Sequence, residues 1–490
     1  MVMDRLRPDT RYYYRMCYRQ PGDSAFTQGQ EHSFQTARAS SSPFTFTVQA
    51  DSHLAEPNFN PELYQVALQN ALMDNPDFHI DLGDTFMSEK LPAPIDYNAV
   101  VQGHLQQRSY FGLLCHSVPL FLVLGNHEGE LGWKLNGTPD NVAVWTTNVR
   151  KLYYLNPVPD SFYSGNSITE TYVGLRENYY AWEWGDALFI VLDPFWYTAP
   201  KPNTDSWGWT LGHQQYDWFK QVLQNSHAKF KFVFCHHLVG GYTSAARGGV
   251  EYAPYYEWGG KNHDDSWGFD TRRSGWGKPI HQLMVDNHVT IFFHGHDHLF
   301  VKQDLDGIVY QEVPQPSNRN YDATGSAAGY GYTHGVILGN SGHLRVRVFG
   351  SKVSVDYVRA YLPADETETR INRQVSYTYT IPPNRAPSFT SNTLVKPDAT
   401  VGILYSSSIA GDASDPDPGD TLQFSRVNGR TWLSVNTSGT LAGTPSLPDV
   451  GLNSFIVRAK NAAGSSSQAT LNITVQKDPS RLAVRNWVRY

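Results

Sequence analysis

The stretch that most constrains this chain is Ile291-Phe292-Phe293-His294-Gly295-His296-Asp297-His298, where an apolar run that reads as a buried strand stops abruptly in three imidazoles and a carboxylate. Apolar strands seldom end this way unless the ring nitrogens have something to bind. Four upstream runs stop in the same manner. Residues 44–50 lead into Asp51-Ser52-His53, 78–82 into Gly83-Asp84, 120–124 into Gly125-Asn126-His127-Glu128, and 230–235 into His236-His237. Five strands are thus expected to deliver oxygen and nitrogen ligands at their carboxyl ends, where an open α/β sheet places its binding crevice.

At 490 residues the chain is long for one domain, and two or three are expected. A net charge of −7 and the absence of any Lys/Arg run argue against a nucleic-acid-binding surface or a polybasic membrane patch. Any anion the protein handles must be drawn by a local field. Cys17, Cys115 and Cys235 are too few and too scattered for a disulfide framework or a thiolate metal site. No stretch approaches the roughly 20 apolar residues of a membrane span, and residues 1–8 lack an apolar signal core. Much of the aromatic content, 29 Tyr, 24 Phe and 13 Trp, falls between Leu131 and Trp276 in Gly-rich segments that read as loops.

Taken in order, residues 6–15 alternate, turn at Gly22-Asp23-Ser24 and return in a run ending at Phe34-Gln35-Thr36, which predicts a β-hairpin. With Leu6-x-Pro8-x-Thr10-x-Tyr12 as its corner, segment 1–38 resembles the last two strands of a fibronectin-type-III-like domain. That resemblance implies a chain that begins inside a domain, with any signal peptide further upstream. A small hairpin capping the next domain is the other reading. From Pro43 strands alternate with helices, predicting βαβ units and a mixed, mostly parallel sheet over residues 43–380. Asn60-Pro61-Glu62 carries the signals of a helix start, and 212–225 places Tyr216, Phe219, Val222 and Leu223 on one helical face. Past His298 the short runs 301–304, 308–313, 335–338, 344–349 and 353–357 are expected as the antiparallel edge of the same sheet or as a second sheet.

Residues 382–387 read as a linker, and 386–477 as an independent β-sandwich. Within it, Asp412-x-x-Asp415-x-Asp417-x-x-Asp420, Trp432-Leu433-Ser434, Gly439-Thr440-Leu441-Ala442-Gly443-Thr444-Pro445 and Asn461-Ala462-Ala463-Gly464 resemble cadherin-like, immunoglobulin-type domains appended to bacterial secreted enzymes. This resemblance implies a secreted or periplasmic location. The acidic cluster could hold Ca²⁺ or be an ordinary Asp/Pro/Gly turn. The tail 478–490 carries no readable role.

Collected, the motifs Asp51-x-His53, Gly83-Asp84, Gly125-Asn126-His127-Glu128, His236 and Gly295-His296-x-His298 resemble the signature of the calcineurin-like metallophosphoesterase superfamily. The fold this implies is a four-layer α/β/β/α sandwich. Carried over residue by residue, the resemblance implies one metal held by Asp51, His53 and His298, another by Asn126, His236 and His296, and Asp84 bridging the two. Four positive charges less Asp51, Asp84 and a hydroxide leave about +1, which attracts phosphate to an acidic chain. The implied reaction is in-line attack on phosphorus by a metal-bridging hydroxide, with Asp84 and His127 as the catalytic pair and His127 protonating the leaving oxygen. Glu128 would orient His127 or another ligand. His237 and His294 adjoin ligands on strands, where side chains alternate, and are expected to point away from the metals.

The fibronectin-like start followed by this site makes purple acid phosphatases the nearest named relatives. Their iron-binding Tyr, three residues after the bridging Asp, is here Met87, and they lack the His that stands here as His53. Two divalent ions drawn from Zn²⁺, Mn²⁺ and Fe²⁺ are therefore expected rather than a purple ferric site. Protein Ser/Thr phosphatases fit less well, since Thr85-Phe86-Met87-Ser88 offers no phosphate-clamping Arg. A substitute clamp is sought in Arg247, Arg272 or Arg273. The Gly- and aromatic-rich segment 245–276, together with Trp133, Trp145 and Trp196, either walls the crevice, favouring an apolar or nucleoside leaving group, or merely packs loops on the domain. The expected substrate is a small phosphate ester, with monoester, diester and triester left open, as is the oligomeric state. A secreted adhesion or binding protein with a structural or vestigial metal domain is the alternative.

Overall fold

The computed structural model describes residues 5–54, 56–350, 352–381, 385–416, 421–461 and 465–478. These fall into two compact units that divide after residue 383.

The first unit is built on two sheets packed face to face. One has six strands in the order Val375–Ile381, Lys352–Arg359, Gly342–Phe349, Phe44–Gln49, Phe78–Asp81, Leu120–Leu122. The last three run parallel and the first three are antiparallel additions. The other has eight strands in the order Val336–Leu338, Phe300–Leu305, Ile308–Glu312, Ile291–His294, Phe230–Phe234, Ala187–Val191, Tyr180–Trp184, Ser164–Gly165. The short runs after His298 are therefore divided between the sheets. Three extend the eight-stranded sheet and two cross to pair beside Phe44–Gln49 in the six-stranded one.

Alternation along the strands explains the layering. Phe46, Phe78, Phe232, Phe234, Ile291 and Phe293 face inward and interdigitate between the sheets. Val233, Cys235 and Phe292, on the opposite face, pack under helices His213–Asn225 and Ile280–Asp286 through Tyr216, Phe219, Leu223, Leu283 and Met284. Helices Pro61–Met73 and Tyr97–Cys115 cover the other side through Tyr64, Leu68, Phe111 and Leu114. The start signal at Asn60 operates as expected, its side chain accepting from Leu63 N. The result is a four-layer α/β/β/α sandwich.

The N-terminal hairpin, Arg11–Tyr18 with Thr27–Gln35, forms a two-stranded sheet of its own. It rests on the end of helix Tyr97–Cys115: Tyr14 OH donates to the His116 carbonyl at 2.6 Å, and the His32 and His116 rings lie 4.6 Å apart.

The second unit is a β-sandwich. Thr393–Val395, Ser466–Gln476, Gly451–Asn461 and Leu422–Asn428 form one sheet, joined by Ala399–Thr400, and Tyr405–Ser408, Thr440–Gly443 and Leu433–Val435 the other. Phe424, Leu433, Leu441, Phe455 and Leu471 fill its core. Of the acidic cluster, Asp412 pairs with Lys396 at 2.6 Å and Asp415 accepts from Asn461. Asp417 and Asp420 lie outside the described residues, and among those described no third ligand-type group converges with Asp412 and Asp415.

Candidate metal centre

The ligand-type residues lie where the parallel strands end, on loops drawn together by backbone hydrogen bonds. Asp51 N donates to the Gly83 carbonyl (2.9 Å), His53 N to that of Asp84 (3.0 Å) and Gly295 N to that of His236 (2.9 Å). His296 N then donates to Asp51 Oδ2 at 2.8 Å, tying the end of one sheet to the other. The glycines of the motifs are required by this closeness. A Cβ on Gly295 would lie 2.5 Å from Asp51 Oδ2, and one on Gly83 would lie 2.3 Å from the backbone N of Gly125. Asp51, His53, Asp84, His296 and His298 all hold left-handed backbone, with φ from 50° to 81°. Such a conformation costs about 1–3 kcal/mol at each non-glycine residue and persists where surrounding structure enforces it.

Two groups result: Asp51, His53 and His298, and Asp84, His236 and His296, the candidate ligand atoms of each lying within 4.8 Å of one another. Asp84 joins them. Its Oδ1 accepts from His127 N at 2.7 Å, while Oδ2 faces His236 Nε2 at 3.2 Å and His53 Nε2 at 3.4 Å. Asn126 Oδ1 lies 3.1 Å from the same His236 nitrogen. Asp51 Oδ1, 3.5 Å from His53 Nε2 and 3.4 Å from His298 Nε2, has no hydrogen-bond partner among the described residues, and neither does His53 Nε2. Buried polar atoms left this way are costly. Their convergence from hard oxygen and borderline nitrogen donors fits a divalent cation.

Ring orientation agrees with that fit. His236 Nδ1 bonds the Leu82 carbonyl at 2.9 Å, which leaves Nε2 facing Asp84. His296 Nε2 bonds the Ala245 carbonyl at 2.7 Å, which leaves Nδ1. Burial, reinforced by the His236 charge, keeps His296 neutral. Burial alone would neutralise Asp51 and Asp84 as well, but the surrounding imidazoles override it and hold both carboxyls well below the usual range. Reciprocally, Asp51 and Asp84 overcome the burial of His53 and His236 and raise those rings to about 9 and about 10.

His127 projects toward the cluster, with Nε2 3.8 Å from Asp84 Oδ2. Its Nδ1 meets Glu89 Oε1 at 2.9 Å, a partner that motif reading did not find. Glu89 lies outside the motif blocks, in the short turn Ser88–Lys90, and only its proximity to the bridging motif marked it. Glu128, expected to orient His127 or another ligand, accepts from the backbone N–H groups of Gly125, Asp84, Thr85 and Phe86 at 2.5–3.2 Å. It therefore sets the loop that carries Asp84. His237 and His294 are core imidazoles, lowered to about 3 by burial. His237 packs on Trp209 and His294 on Phe292. Asp297 accepts from Arg247, Gly248 N and Tyr332 and so fastens the loop opposite. Met87, where a phenolate would otherwise stand, is buried.

Two expectations need correction. Arg273 gives its donors to Glu257 (2.5 Å) and the carbonyls of Trp207 and Trp209, and Arg272 pairs with Asp205 (2.9 Å). Among the described residues neither contacts the metal cluster, because each guanidinium is committed to Glu257 or to the neighbouring turn that carries Asp205, Trp207 and Trp209. Only Arg247 reaches the cluster's edge, donating to the His296 carbonyl at 3.0 Å and stacking on Tyr330. Nor do the tryptophans form one wall. Trp196 is buried beneath Arg176 among Ala143, Val144 and Val173, and Trp145 packs against Val100, Val142 and Val149, both filling satellite clusters. Trp133 meets Trp209 edge-on.

The calcineurin-like phosphoesterase family model matches residues 44–300, and the He_PIG Ig domain model matches residues 386–476. No curated protein sequence matches the chain. Among similar solved structures, PhoD aligns with a TM-score of 0.52 at 15% identity, over 77% of this chain and 76% of that one. The purple acid phosphatase PPD1 of yellow lupin (Lupinus luteus) aligns with a TM-score of 0.49 at 15% identity, over 77% of this chain and 60% of the lupin protein. At 15% identity the likeness to PhoD is one of fold. With a family model covering more than half its length, over the strands that carry the ligand-type side chains, the chain belongs to the calcineurin-like phosphoesterases and is a phosphoric ester hydrolase.

Proposed function

We propose that this chain hydrolyses small phosphate esters at a dinuclear centre, with Asp51, His53 and His298 holding one divalent cation, Asn126, His236 and His296 the other, and Asp84 shared. The observation that carries the reading is Asp84 Oδ2, set 3.2 Å from His236 and 3.4 Å from His53, one imidazole from each ligand-type group. Bound there, the two cations would polarise phosphoryl oxygens and acidify a water enough to make it a nucleophile near neutral pH.

The chain's own groups supply the rest. Glu89 fixes the His127 tautomer with Nε2 toward the cluster. Burial opposes ionisation of Glu89, but the His127 imidazole holds its carboxyl below the usual range. A protonated His127 then donates from Nε2 to the departing oxygen. Arg247 is the guanidinium we assign to a phosphoryl oxygen, since among the described residues its Nη1 bonds Asp297 and the His296 carbonyl while its other nitrogens make no hydrogen bond. Glu128 keeps Asp84 in register through four backbone N–H groups.

The phosphoesterase family model over residues 44–300 supports the enzyme reading over the adhesion-protein alternative. The Ig-type unit supports the reading that the enzyme works outside the cytoplasm, which fractionation of the source cells tests. The central test is metal content with hydrolysis of nitrophenyl monoester, diester and triester phosphates by the wild type and Asp84→Ala. About two metals per chain, with activity falling to background in Asp84→Ala, is the expected result, and the ester profile assigns the subclass. A wild type that binds no metal, or an unaffected Asp84→Ala, overturns the reading.

A further inference from the structure

The long segment between strands Phe230–Phe234 and Ile291–His294 builds a second feature that the chemistry above does not use. Asn262, Asp264, Trp267 and Arg272, with Asp205 and Trp207 from the turn beside them, line an open cleft of about 530 Å³. That volume is in the range of small-molecule sites. Trp267 is 55% exposed, yet its indole is fixed. Its Nε1 donates to Asp270 at 2.9 Å. Its benzo end occupies the place a Cβ on Gly260 would need, only 2.5 Å away, and Gly260 has φ 93°. Below it Trp207 is buried, its Nε1 donating to Asn262 Oδ1 at 2.9 Å. Arg272 lies 5.9 Å over the Trp207 ring and is held by Asp205.

A large aromatic face kept rigid in water costs little further entropy when a ligand stacks on it. Around that face stand carboxylate, amide and guanidinium groups, which accept and donate hydrogen bonds in several directions. Asp205 and Asp264 against Arg272 leave the cleft about one negative charge, which disfavours a second phosphate. An aromatic platform ringed by mixed donors and acceptors matches a sugar ring, whose C–H face stacks while its hydroxyls bond.

The turn that carries Asp205 and Trp207 is also tied to the metal cluster's surroundings. Ser206 Oγ donates to the Thr243 carbonyl (3.0 Å), Trp209 Nε1 to that of Ser244 (3.2 Å), and the Ala245 carbonyl meets His296 Nε2 (2.7 Å). Three consecutive residues thus link the cleft wall to a ligand-type imidazole. We propose that this cleft is a saccharide-binding subsite that seats a neutral sugar ring against Trp267.

The test uses the full chain, titrated with cellohexaose, laminarihexaose and mannohexaose and followed by tryptophan fluorescence and saturation-transfer NMR. Trp267→Ala should weaken binding of the hexasaccharide that binds by at least about tenfold, the scale of a truncated aromatic anchor. Trp267→Phe, which keeps a stacking face, should stay within about threefold. Hydrolysis of nitrophenyl phosphate should be unchanged in both variants, so a failure here is distinguishable from a failure of the metal site. A parallel loss of glucose 6-phosphate hydrolysis in Trp267→Ala would show that the sugar belongs to the phosphate ester, and its absence that a separate glycan is held. Wild-type protein that binds none of the three, or binds them as Trp267→Ala does, overturns the proposal.

Discussion

Replacing Gly83 by alanine tests whether close approach of two loops sets the metal centre. The added Cβ would lie 2.3 Å from Gly125 N, 2.8 Å from Gly125 Cα and 2.9 Å from the Leu124 carbonyl carbon, all backbone atoms that no rotamer change can move aside. The loops must therefore part by about 1.1 Å, the difference between 2.3 Å and the 3.4 Å at which ordinary contact begins. One loop carries Asp84 and the other Asn126 and His127, so the displacement falls directly between proposed ligands. A misplacement of about 1 Å costs on the order of a hundredfold in rate. The left-handed φ of 95° at Gly83 adds about 1–2 kcal/mol of instability. Gly307→Ala is the control, since it incurs the same conformational cost at φ 83° but meets nothing within 4 Å. Steady-state hydrolysis of nitrophenyl phosphate, metal analysis and thermal melts of both variants decide the matter. Gly83→Ala should lose about a hundredfold in kcat/KM together with bound metal, while Gly307→Ala loses only stability. Equal activity in the two variants would refute the reasoning.

Glu89→Gln keeps a hydrogen-bond acceptor near His127 Nδ1 but removes the charge, so kcat should fall about 10- to 100-fold with metal content unchanged. The loss should be larger for poorer leaving groups, and a variant equally active on all of them would remove Glu89 from the reaction. In the metal-free protein, His53 and His236 are raised to about 9 and about 10, above their ordinary 6.5. Their protonation therefore stabilises the metal-free fold fully below pH 6.5, and that contribution is lost as pH rises through 9 and 10. A cation must displace these protons, so its affinity should climb up to about tenfold per pH unit for each proton displaced. Calorimetry in buffers of different ionisation enthalpy should register proton release on Zn²⁺ or Mn²⁺ binding at pH 7.5, and none would contradict the ligand assignment.

What the sequence by itself determined is local in origin. The abrupt end of each apolar run marks five places where ligand-type residues gather, because run length and spacing at i and i+2 are properties of short segments, and the family resemblance carried by those motifs implies Asp51, His53, Asp84, Asn126, His236, His296 and His298 as the set. The helix start at Asn60 and the second sandwich are legible for the same reason. The tertiary structure decided what depends on distant partners. Two late strands crossed to the six-stranded sheet because their apolar faces complete the inner layer with Phe46 and Val48. Glu89 became the partner of His127 across 38 residues, and Glu128 the anchor of the Asp84 loop across 42 to 44. Arg272 and Arg273 were drawn away by Asp205 and Glu257, leaving Arg247, tied to Asp297 across 50 residues, at the edge of the cluster. Side-chain charge and shape are written in the chain, but which unlike charges meet is settled only when folding brings remote segments within a few ångströms.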